Sequence, residues 1–150
     1  MKNIIHIIYI LLGIVFIICF EQCKKDGPQS NIKLTDKPLS VIQTNIKGKW
    51  TLQYEKGGIC GTCIFYQKDF FWEFGNYDKV LETYKGTVIV DTKINWVRER
   101  DVFTDLTYIM TFSDKQNVPW NYIVDGIYND TLVLYDNSSD RVFYHFTKSN

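Results

Sequence analysis

Thr131-Leu132-Val133-Leu134-Tyr135 and Arg141-Val142-Phe143-Tyr144-His145-Phe146-Thr147 flank the polar stretch Asp136-Asn137-Ser138-Ser139-Asp140. The flanking runs are β-branched, aliphatic and aromatic. The stretch between them is built from residues whose short side chains bond to their own backbone and favour turns. This pattern predicts a β-hairpin at the end of the chain. Asn129-Asp130 makes the preceding turn and joins residues 122–128 to the hairpin. Further upstream the same rhythm recurs. Residues 106–112 alternate, with Tyr108, Met110 and Phe112 on one face and Ile109 on the other. Within 93–98, Ile94 and Trp96 share a face; 84–91 follows with Gly86; 70–74 ends at Gly75-Asn76; and 49–54 opens the series. The stretch 64–74 is compatible with a short helix or with two strand pieces, and its β-branched and aromatic content favours strand. No segment after residue 47 has a long helical period of apolar positions. The expected fold class is all-β: an antiparallel up-and-down meander of about eight strands, closed into a barrel or packed as a sandwich.

Composition points the same way. The chain of 150 residues holds four Trp, ten Tyr and ten Phe and no alanine. Alanine is the best helix former, whereas aromatic and β-branched residues fit a pleated surface. The length is that of one domain. Lys and Arg number 17, and Asp and Glu number 17. A neutral chain lacks the basic stripe needed to neutralise phosphates, which argues against a nucleic-acid partner.

The N-terminus reads as an export segment. Met1-Lys2-Asn3 is a short basic start, and residues 4–20 are apolar except for His6, Tyr9 and Gly13. A basic n-region before an apolar h-region is the layout of a signal peptide. The run is also at the lower edge of what spans a bilayer, so an uncleaved anchor is the other reading. Cys23 follows, then Lys24-Lys25-Asp26-Gly27-Pro28. This resembles the leader of a bacterial lipoprotein of the Bacteroidetes type. The resemblance implies lipidation of Cys23, attachment to the outer membrane through the lipid, and a periplasmic or surface-facing position in the cell envelope. Phe20, Glu21 and Gln22 depart from the usual residues before the lipidated cysteine, and Cys19 is a rival position inside the apolar run. The expected organisation is a signal peptide over 1–22, a polar tether over 23–45 with one helical turn near 40–45, and the β-domain over 46–150.

Gly48-Lys49-Trp50, continued by Thr51-Leu52, resembles the G-x-W signature that opens the first strand of lipocalins. Gly57-Gly58-Ile59 and the closing hairpin from Asn129 to Leu134 are similar to small lipocalin-like lipoprotein domains. The resemblance implies a calycin-like barrel in which Gly48 and Trp50 close the base. Lys148 would stack on Trp50 where the family has an Arg. Plain core packing is the other reading of Trp50.

Candidate chemistry is sparse. Cys60-Gly61-Thr62-Cys63 suits a small disulfide in an oxidising compartment, since Cys19 belongs to the leader and Cys23 takes the lipid. A catalytic dithiol would need the first Cys at a helix N-terminus, which the pattern does not offer. No metal site is expected, because His145 is the only histidine beyond the leader and no second pair of soft ligands exists. His145 has no nucleophile elbow to serve. Asp91, Glu99, Asp101, Asp105 and Asp114 are spread over strand ends and turns, and 98–101 reads as a solvated hairpin end. Trp96, Tyr108, Met110, Phe112, Trp120 and Tyr122 either line a barrel interior and contact a ligand or fill a core. The expected function is therefore non-enzymatic binding of a small apolar ligand by a membrane-anchored lipoprotein, with no cofactor. An envelope interaction or structural module with a packed barrel is the alternative, and a thiol oxidoreductase using Cys60 and Cys63 is a third.

Overall fold

The computed structural model describes residues 31–149; the leader, Cys19 and Cys23 lie outside the described residues. Eleven strands and one helix follow in the order β1 (Ile32–Lys33), α1 (Leu39–Ile46), β2 (Gly48–Gly57), β3 (Ile64–Tyr66), β4 (Phe70–Phe74), β5 (Lys79–Tyr84), β6 (Thr87–Lys93), β7 (Asn95–Arg100), β8 (Leu106–Ser113), β9 (Pro119–Tyr128), β10 (Thr131–Asp136) and β11 (Val142–Lys148). The C-terminal hairpin is present as expected, with Thr131 opposite Thr147 and Tyr135 opposite Phe143. The stretch 64–74 is two strands, β3 and β4, and not a helix. Every pairing is antiparallel.

The principal strands form one path, β6-β5-β4-β2-β11-β10-β9-β8-β7, curled into a half-barrel. The expected closure is incomplete. The ends of the path, β6 and β7, share no ladder although only Ile94 separates them in sequence. A one-residue connection is too short for a hairpin. Following the antiparallel pairs around the path gives β6 and β7 the same direction. Residues 87–100 are thus one bent run that pairs with β5 before the bend and with β8 after it. At each end of this seam a side chain stands in for the missing ladder. Lys115 Nζ donates to the Val88 carbonyl at 2.6 Å, and Trp96 Nε1 donates to Asp78 at 3.1 Å.

The concave face holds the main core. Trp50, Leu52, Trp72, Phe74, Val80, Val90, Ile94, Met110, Phe112, Tyr122, Val124, Leu132, Leu134 and Phe146 are buried there. Helix α1 covers one end of this core through Ile42 and Ile46, and the Ile46 carbonyl accepts from Trp50 Nε1 at 2.6 Å. Residues 31–45, expected as tether, are largely part of the domain. Strand β1 pairs with β9, and Leu34 is fully buried. Their polar composition concealed this: Leu34, Ile42 and Ile46 are buried and Ile32 and Val41 pack against the core, while the polar side chains between them face solvent or are half-buried.

A smaller cluster of Ile109, Ile123, Tyr135 and Phe143 lies on the convex face. The β7–β8 turn folds over part of it. Here the solvated reading of 98–101 fails for its last residue. Asp101 has a fully buried side chain and accepts from Phe103 N and Asp105 N at 2.9 Å each and from Arg141 at 2.9 Å. The Arg141 guanidinium also lies 3.7 Å from the Phe103 ring centroid and 4.3 Å from that of Tyr135. Arg98, Glu99 and Arg100 are exposed as expected.

The docking of β1 is specified by Gly126. A Cβ at that position would meet the Ile32 carbonyl oxygen at 2.4 Å. Gly126→Ala is expected to push β1 off β9 and to lower stability by about 1–3 kcal/mol. Urea unfolding measures the loss, and hydrogen exchange at Leu34 N, which donates to the Asp125 carbonyl, reports whether β1 has moved.

Candidate functional site

The end of the half-barrel away from α1 opens into a cavity of about 530 Å³. Its wall comes from β2, β4, β5, β6, β9, β11 and the β8–β9 turn, and carries Glu55, Phe70, Glu82, Asp114, Lys115, Trp120, Tyr122 and Tyr144. That volume falls in the usual range for small-molecule sites.

Two backbone features put acids into this wall. In β5, Val80 is buried in the core, and the period of two places Glu82 on the same face, nearer the opening. In β2 the alternation from Trp50 and Leu52 would bring Tyr54 inward. The register against β11 shifts between His145 and Phe146, so that Phe146 pairs with Leu52 and His145 with Tyr54. One residue of β2 is thereby left over, and a bulge reverses the sidedness beyond it. Glu55, opposite Tyr144, faces the cavity, while Tyr54 turns outward and stacks on His145 at 4.2 Å. Asp114 is held in its turn by Gln116 N at 2.8 Å and Val118 N at 2.9 Å.

Burial shapes the titration of these groups. The Glu82 carboxyl is pushed up to about 7 by loss of water, partly offset by the Trp72 indole and reinforced by the Asp114 carboxylate. Burial also raises Glu55, against the lowering effect of the Gln67 amide that donates to it at 2.6 Å. The Tyr122 and Tyr144 phenols, edge to face at 5.4 Å, are held well above their ordinary value by burial. The Trp72 indole N–H is buried and closes no hydrogen bond of normal geometry, although Trp72 sits opposite Glu82 in the β4–β5 ladder.

The six aromatic and methionine candidates do share the concave face, but they divide by depth. Met110, Phe112 and Tyr122 are buried in the core, and Trp96 and Tyr108 are half-buried against it. Only Trp120 and Tyr122 reach the cavity wall. The two rings stack at 6.2 Å with 12° between their planes. Gly48, Trp50 and Lys148 meet at the helix-covered end. Lys148 is the register partner of Trp50, and its Nζ stands 5.6 Å from the indole centroid, within reach of a cation–π contact. Gly48 has φ +117° with Lys148 Cε close by. Cys60 and Cys63 are at disulfide distance, with Cα atoms 5.7 Å apart, in the exposed loop between β2 and β3. A strand, not a helix, follows them, so neither cysteine stands at the start of a helix. Among the described residues no three His, Cys, Asp or Glu side chains are grouped to hold a metal ion.

The grouping of Glu82, Glu55 and Asp114 is not legible in the sequence. Alternation in 79–84 leaves open which face is inner, since Leu81 and Val80 are both apolar, and the bulge that turns Glu55 inward has no local signature. The raised Glu82 carboxyl has a thermodynamic consequence. The folded chain keeps a proton there between the ordinary 4.5 and about 7, while the unfolded chain has lost it. This group therefore makes stability fall as pH rises across that window. Glu82→Gln should remove that part of the slope and raise stability at pH 8 by about 1–2 kcal/mol, allowing for solvent screening at the opening. Chemical denaturation of both proteins at pH 5 and pH 8 checks it.

Comparison with known proteins matched no family model, no curated protein and no solved structure.

Proposed function

We propose that this chain is a lipid-anchored, lipocalin-like lipoprotein of the cell envelope that binds a small molecule without chemical conversion. The observation that carries the reading is the cavity at the open end of an otherwise packed half-barrel. The deeper concave face is occupied by Trp72, Met110, Leu132, Leu134 and Phe146, all with little or no exposure. A ligand therefore sits at the opening, against Trp120 and Tyr122, and not in a deep lumen. The lipocalin-like assignment is supported by the pairing of the first long strand with the last, by eight runs when 87–100 is counted as one, and by the Trp50–Lys148 contact. The anchor is assigned to Cys23, with the outer membrane as the surface it holds.

A second reading has its own observation. Ile59, Ile64, Phe65 and Tyr66, on the loop and strand that follow β2, are all exposed, Ile59 at 96% and Tyr66 at 78%. Exposed apolar groups of this kind serve protein or membrane contact. An envelope interaction module would use this flap and leave the cavity empty.

Native mass spectrometry of the full chain, purified from its own cells in mild detergent, separates the two. A small-molecule adduct that is lost in Trp120→Ala is expected. A bare mass in both proteins, with a co-purifying protein lost on Phe65→Ser, would overturn the binding reading in favour of the second. For the anchor, metabolic labelling with palmitate is expected to mark the wild-type chain and not Cys23→Ala. Equal labelling of the two would remove Cys23 as the lipid site.

A further inference from the structure

The cavity wall is equipped to select by charge. Its lining carries three carboxyl groups, Glu55, Glu82 and Asp114, and one ammonium, Lys115. The ammonium is turned to the backbone of β6, where it bonds the Val88 carbonyl, and no ion pair among the described residues joins it to any of the three acids. Glu55 and Glu82 are half-buried. An ionised carboxylate partly withdrawn from water is unfavourable without a cationic partner. A cation from outside the chain would supply one.

The remaining wall suits the same visitor. The Trp120 and Tyr122 rings stack nearly parallel, Tyr144 and Tyr122 meet edge to face, and Phe70 is part of the same wall. Aromatic faces carry partial negative charge and attract organic cations. The indole N–H of Trp72, a residue 2% exposed, is directed at Glu82, whose ionised form it favours, and among the described residues it closes no hydrogen bond of normal geometry. It is a donor poised for the carboxylate that an incoming cation would leave ionised. The acids are not grouped as metal ligands. An anion would meet three carboxyls, and a neutral apolar molecule would leave them without a counter-charge.

Resting on the reading of this cavity as the ligand site, we propose that it takes a small organic cation, an alkylammonium joined to an aromatic or other flat apolar group. The ammonium pairs with Glu55, Glu82 and Asp114, and the apolar part packs on Trp120 and Tyr122.

Binding of such a cation is linked to a proton. The groups facing Glu82 are Glu55 from β2, Trp72 from β4, Asp114 and Lys115 from the β8–β9 turn, Tyr122 from β9 and Tyr144 from β11. Burial and the Asp114 carboxylate keep a proton on Glu82 up to about 7. A bound cation favours the ionised form and releases that proton, so affinity rises with pH through this range.

The test uses three probes that share one ring and differ in charge: 2-phenylethylamine, 2-phenylethanol and phenylacetate. Each is titrated calorimetrically into the full chain in detergent at about pH 6 and about pH 8, where an alkylamine stays protonated. The amine is expected to bind about tenfold more tightly than the alcohol, more tightly at the higher pH, and the carboxylate not measurably. Glu82→Gln combined with Asp114→Asn should bring the amine most of the way down to the affinity that the alcohol has for the unsubstituted chain, and should flatten the pH dependence. Thermal unfolding of the double variant shows that it is folded. Equal binding of amine and alcohol would overturn the cation inference while the small-molecule reading survives. Binding of none of the three would overturn both.

Discussion

The pairing of β2 with β11 is the constraint on which the rest depends. It joins the first long strand to the last, with Trp50 opposite Lys148 and Gly57 opposite Val142. A sheet path of this length left open would be a twisted ribbon with its apolar face in water. With its two chain ends stitched together, the ribbon curls and its concave face becomes an interior. The cross-strand pairs then place Trp72 among Phe74, Phe112, Tyr122 and Phe146, with ring centroids 5.0–5.9 Å apart. Helix α1 caps the end where Trp50 lies, through a hydrogen bond and two isoleucines. Among the described residues no element caps the opposite end, and that is where the cavity forms.

Two irregularities then determine the chemistry of the opening. The bulge in β2 exchanges Tyr54 for Glu55 on the inner face. A second register shift, between Val133 and Leu134 against β9, lets Val124 face the core while Asp125 offers its carbonyl to Leu34. Each shift adds one residue to one strand and reverses the sidedness beyond it. Without the first, the wall would gain a tyrosine and lose an acid. The break at Ile94 is the third device. It allows one run of chain to serve as both edges of the sheet path, so the seam is spanned by Lys115, Asp78 and Trp96 and not by a ladder. Asp78 also accepts from Gln43 of α1, which ties the helix to the same seam.

The convex face is held by a different chemistry. Arg141 neutralises Asp101, whose side chain is fully buried, and spreads its guanidinium over Phe103 and Tyr135. A planar, weakly hydrated cation can do both at once, which an ammonium would not. The backbone N–H groups of Phe103 and Asp105 and the Tyr135 hydroxyl also donate to the carboxylate. The β7–β8 turn is thereby fastened to the C-terminal hairpin from outside, independently of the interior core.

Much of the fold was legible in the sequence because strand alternation and turn chemistry are local. The closing hairpin, the absence of long helices after residue 47, the two-strand reading of 64–74 and the shared face of Trp96, Tyr108, Met110, Phe112, Trp120 and Tyr122 all come from residues near one another in the chain. Three features were not legible. The packing of 31–46 depends on scattered apolar side chains meeting a core that only the curled sheet creates. The burial of Asp101 depends on Arg141, forty residues away. The acidic wall depends on a bulge that exists only because β2 must keep register with β11, and on which face of β5 turned inward. Period-two patterning determines which residues travel together; long-range pairing decides which of the two faces they occupy.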